Sequence, residues 1–100
     1  MAQDQREGLR RLHAVLDRLL RRMTRRYPGS PREMQMDAAA AIDLLRAVHV
    51  PNREYLSTSM ARLIQELGQR RPDLFRHVTL VQAALNQLDD LLARDPDPPA

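Results

Sequence analysis

Apolar side chains recur along this chain at steps of three and four residues, the spacing of one face of an α-helix. No alternating pattern runs long enough to propose a strand. The first stripe, Leu9, Leu12, Leu16, Leu19, Leu20 and Met23, predicts a helix over 3–26 with His13 beside its apolar face. The opposite side carries guanidinium groups: Arg10, Arg11, Arg18, Arg21, Arg22 and Arg25. Tyr27-Pro28-Gly29 ends the helix, because a residue before proline is driven out of the α region and glycine tolerates a turn.

Ser30-Pro31-Arg32-Glu33 reads as a capping box. Ser30 would accept from the Glu33 N–H while Glu33 reaches back to the Ser30 N–H, and Pro31 takes the first helical position, where its missing donor costs nothing. The second helix points Met34, Ala38, Ala41, Leu45 and Val48 inward, with Ile42 and His49 flanking, and stops at 48–51. Asn52 is the expected N-cap of a third helix over 53–69, which buries Leu56, Met60, Leu63, Ile64 and Leu67. Residues 72–77 are expected as a short separate turn or helix, the alternative being one long last helix with Pro72 at its start. A main helix over 79–94 follows, opening on a second capping box at Thr79–Gln82 and burying Val78, Val81, Leu85, Leu88 and Leu92. The tail over 95–100, rich in Pro and Asp, is expected to be disordered.

These elements predict an all-α fold: a small antiparallel bundle of four main helices, with a short fifth at 72–77, forming one domain over 1–94. Val15, Met36, Leu44, Leu80 and Leu91 fall outside the main stripes and point to a second buried surface, as in a homodimer.

Composition narrows the classes. A hydrophobic fraction of 43% with 29% charged residues matches a globular chain rather than a disordered one. Uncharged runs such as 79–88 fall well short of the ~20 apolar residues that cross a bilayer, so no membrane association is expected. The first residues lack an apolar stretch of the kind that marks a secretory leader, and there is no cysteine; a reducing, cytoplasmic setting is the expectation. All sixteen basic residues are Arg. GC-rich codon usage accounts for that, since Arg and Lys trade freely on helix surfaces, yet an Arg-only surface also suits carboxylates and phosphates. With no lysine there is neither Schiff-base chemistry nor a P-loop. With only three aromatics the core must be aliphatic, and stacking platforms for single-stranded nucleic acid are hard to build.

A search for catalytic groups returns little. His13, His49 and His77 fall on separate segments without a ligand-spaced Cys, Asp or Glu, so no metal or other cofactor is expected. Asp89 and Asp90 are adjacent and diverge on a helix, while Asp37 and Asp43 look isolated. Ser57-Thr58-Ser59 lacks a nucleophile elbow, and the three glycines lie far apart. The chain is read as a non-enzyme.

Charge distribution is the one feature above background. Eight Arg against three acids give residues 1–26 a balance of +5, while 27–60 and 61–100 each come to −1. Like charges spaced i, i+4 weaken a helix, so the ladder does not serve helix stability. A solvated face, an acidic protein partner and nucleic-acid phosphates are its three readings. The expected function is a protein–protein interaction module, an adaptor, antagonist or chaperone-like regulator. It would dock an acidic partner through Arg10, Arg11, Arg18, Arg21, Arg22 and Arg25. Nucleic-acid binding is the alternative.

Overall fold

Leucine spacing becomes helix packing in the computed structural model, which describes residues 2–25, 30–69 and 73–94. Four helices form: α1 (Ala2–Thr24), α2 (Pro31–Ala47), α3 (Arg53–Leu67) and α4 (Phe75–Arg94), with no strand among the described residues. Leu9, Leu12, Leu16, Leu19 and Met23 of α1 are all buried. They meet Met34, Ala38, Ala41 and Leu45 of α2, Met60, Leu63 and Leu67 of α3, and Val81, Ala84, Leu85 and Leu88 of α4 in one core. Neither described aromatic belongs to that core, so its cohesion is aliphatic.

Helix ends follow local chemistry, with three departures from expectation. Pro31 does open α2, but the Ser30 hydroxyl accepts from the Arg32 N–H at 3.2 Å rather than from Glu33. The Glu33 N–H bonds the Ser30 carbonyl instead, and its carboxylate turns to Arg22. A charged guanidinium donor outcompetes a neutral backbone amide for the Glu33 carboxylate, so the reciprocal box does not form and a plain serine cap remains. Asn52 stands at the N-cap of α3 in the left-handed region (φ 61°, ψ 29°), and its side chain makes no capping bond. Its carbonyl accepts from the Leu56 N–H at 2.9 Å, while asparagine tolerates the left-handed backbone that reverses the chain after Pro51. Gly68 then caps the C-terminus of α3, close to the expected end near Gln69.

The third departure is at α4. It starts at Phe75, whose N–H is capped by the Asp73 carboxylate at 3.2 Å, and Thr79 is an interior residue bonding the Phe75 carbonyl. Phe75 and His77 thus form the first turn of α4 rather than a separate element, and Pro72 lies outside the described residues. His77, Val81, Ala84, Leu85 and Leu88 are buried, while Val78 and Leu92 are half-buried. Arg26, the turn at Tyr27-Pro28-Gly29 and the tail over 95–100 also lie outside the described residues.

The helices neighbour one another in a ring: α1 packs on α2 and α4, α2 on α3, while α3 and α4 barely touch. Polar ties fix the register. Near the start of α1, the Gln5 amide donates to the His49 carbonyl (3.0 Å) and accepts from the His49 N–H (3.1 Å), satisfying both backbone groups just past α2. Beside it, Gly8 lets α1 close on Val48; a Cβ there would stand 2.5 Å from Val48 Cγ1. Gln35 of α2 donates to the Ile64 carbonyl of α3 (2.9 Å), and His13 of α1 meets Asp89 of α4 (2.8 Å). Of the five apolar residues that suggested a second seam, Val15, Leu44 and Leu91 pack against this core; Met36 alone is strongly exposed. Among the described residues, no helix is long and apolar enough to cross a membrane.

Candidate functional site

The outward face of α1 holds the cationic ladder, and the fold divides it. Arg22 and Arg18 lie on the side of α1 that turns towards α2, where Asp37 waits with its side chain only 6% exposed. Arg18 Nε donates to Asp37 Oδ1 at 2.9 Å and Arg18 Nη2 approaches the same oxygen at 2.8 Å. Arg22 Nε lies 3.0 Å from Asp37 Oδ2, close enough to pair charges but outside hydrogen-bond alignment. Arg22 Nη1 completes the cluster by donating to Glu33. With its side chain 24% exposed, Arg22 is an internal clamp between α1 and α2. Arg18 is intermediate: it serves Asp37 and still shows 56% of its side chain to solvent.

Arg10, Arg11, Arg21 and Arg25 remain exposed. Arg11 pairs with Glu7 at 2.9 Å and Arg21 with Asp17 at 3.1 Å, each four residues away on α1 itself. Such exposed pairs within a helix contribute only about 0.3–0.5 kcal/mol, so an external carboxylate exchanges with Glu7 or Asp17 at little cost. At Arg11 and Arg21 the surface therefore presents guanidinium groups whose present partners are weakly held. Arg22, expected on the same face, is removed from it because Asp37 and Glu33 hold it against α2.

Sequence reasoning missed Asp37, which looked isolated. Its partners are far off in the chain, at Arg18 and Arg22, so helix spacing within α2 could not show them. One signal was present: Asp37 stands three residues after Met34 and four before Ala41, inside the apolar stripe. A carboxylate in that position must find cations. His77 is a second case, buried in the α4 stripe with Nε2 2.5 Å from Glu66 of α3 and Nδ1 lacking a hydrogen-bond partner.

The three histidines do not converge. His13 meets Asp89, His77 meets Glu66, and His49 is exposed beyond α2, its backbone taken by Gln5. Among the described residues no group of three His, Asp or Glu side chains gathers in a metal-binding arrangement. Ser59 is buried on α3. Comparison with protein-family models, with curated proteins and with solved structures finds no match to this chain.

Proposed function

We propose that this chain is a non-enzymatic protein–protein interaction module that docks an acidic partner surface through α1. The docking set is Arg10, Arg11, Arg21 and Arg25, with Arg18 at its edge. Arg22 keeps the helix in place instead of contacting the partner. The observation that carries the reading is the division of the ladder. Asp37 and Glu33 fix α1 against α2 from one side, and Arg11 and Arg21 stand exposed, each paired with a carboxylate of α1 itself. A rigid helix presenting forked donors suits bidentate recognition of carboxylates. An antiparallel bundle is part of the proposal, supported by ties that join the start of α1 to the end of α2 and the middle of α1 to the second half of α4. A cytoplasmic, regulatory setting completes it. Pairing of two copies finds less support, since of the residues that suggested a seam only Met36 stands fully open.

Native co-purification with mass identification tests the reading, comparing the parent chain with Arg11→Glu/Arg21→Glu/Arg25→Glu. Those three positions leave the Asp37 cluster intact, so the variant is expected to keep its helicity. Loss of one specific protein partner supports the proposal. Retention of every partner overturns it, and loss of nucleic acid instead, with affinity falling steeply as salt rises, transfers the ladder to phosphate binding.

A further inference from the structure

The bundle is closed on three sides and loose on the fourth. Where α3 and the start of α4 diverge, a groove of about 700 Å³ opens between Tyr55, Thr58, Ser59 and Arg62 on one wall and Phe75, Arg76, His77 and Leu80 on the other. Its composition departs from the rest of the surface. Tyr55 and Phe75 are the two described aromatics, and they are 61% and 81% exposed on the groove while the core is built from aliphatic side chains alone. Aromatic and Arg side chains together are the residue types that dominate binding energy at protein interfaces.

The charge of the groove selects the occupant. Arg62 and Arg76 line it against a single carboxylate, Asp73, whose Oδ1 is already engaged by the Phe75 N–H. The positive end of α4 opens here too, and the first turn of that helix contains no acidic residue. The lining also includes His77, 1% exposed, whose Nδ1 has no hydrogen-bond partner. We infer that this groove is a second docking site, independent of the α1 face, for an acidic segment of another protein. That segment places an aromatic or aliphatic side chain between Tyr55 and Phe75 and its flanking carboxylates on Arg62 and Arg76. A basic or purely apolar segment lacks the charge match. The α3–α4 seam supplies the room because the two helices rest on α2 and α1 instead of on each other.

Selection of a random phage-displayed 12-residue peptide library on the immobilised full chain tests the inference. Enriched peptides are expected to carry Asp or Glu flanking Leu, Phe or Trp. Fluorescein-labelled copies of them should bind about tenfold or more weakly to Phe75→Ala and to Arg62→Glu/Arg76→Glu, the loss expected when a central contact is truncated. Binding should be unchanged in Arg11→Glu/Arg21→Glu/Arg25→Glu, which separates this groove from the α1 face. Since Phe75, Arg62 and Arg76 are exposed, all variants should retain the helical circular dichroism of the parent. No enrichment, enrichment of peptides without acids, or binding that survives both groove variants overturns the inference. So does sensitivity to the α1 variant alone. Self-association that disappears in Phe75→Ala would give the groove to a second copy and overturn it equally.

Discussion

Replacing Asp37 by Asn is the sharpest probe of how this fold is held. The carboxylate is 6% exposed and faces two guanidinium groups, one in hydrogen-bond alignment and one in charge contact only. Removing its charge deletes one charge-assisted hydrogen bond, worth about 1.5–3 kcal/mol. It also leaves Arg22 beside a neutral amide. Breaking a fully buried pair by removing one partner costs about 3–5 kcal/mol, but Arg18 is 56% exposed and regains water. Glu33 still holds Arg22 from the other side. The expected loss is therefore about 2–3 kcal/mol, between the single-bond and the buried-pair limits. In a domain of this size that lowers the thermal midpoint by roughly 10–20 °C. Urea unfolding followed by circular dichroism at 222 nm measures it, and a double-mutant cycle with Arg22→Gln isolates the contact. Because the acid is buried, the loss should persist at high salt, where exposed pairs are screened. A change below about 0.5 kcal/mol, the scale of an ordinary surface substitution, would refute the clamp.

Three further substitutions read other joints. Gln5→Ala should cost about 0.5–1.5 kcal/mol, the net worth of hydrogen bonds that water can replace at this exposed joint, and hydrogen exchange should quicken at the His49 amide. Gly8→Ala should destabilise by about 1–2 kcal/mol, because the overlap with Val48 outweighs the ~1 kcal/mol helix gain. The penalty should shrink in a Val48→Ala background, as denaturant midpoints would show. Asn52→Ala should cost about 1 kcal/mol at its left-handed backbone while Asn52→Gly is neutral or slightly stabilising; if Asn52→Gly were the worse of the two, a side-chain cap would have to exist.

The stripe of α1 was legible apart from Leu20, which is only partly buried, because leucine at three- and four-residue steps needs no partner to be recognised. So was the start of α2, where Pro31 fixes the first turn locally. Long-range polar contacts were not. Gln5 with His49, Arg18 and Arg22 with Asp37, and His77 with Glu66 each join residues whose spacing in the chain carries no helical signal. For the same reason the ladder read as one uniform docking face, although α2 captures Arg22 and part of Arg18. The start of α4 was misjudged because Thr79 offers a plausible cap in isolation, whereas Asp73 captures the Phe75 N–H and the helix begins a turn earlier. The groove beside it depends on how far α3 and α4 diverge, which no single helix encodes.

The division of the guanidinium groups underlies the whole account, and side-chain Nε–Hε spectra of 15N-labelled protein titrated with polyglutamate test it most directly. A slowly exchanging, unshifted signal is expected for Arg22, slow exchange with at most a small shift for Arg18, and rapid exchange with progressive shifts on titration for Arg11, Arg21 and Arg25. Uniform behaviour across all five, or displacement of the Arg18 and Arg22 signals ahead of the others, would contradict it.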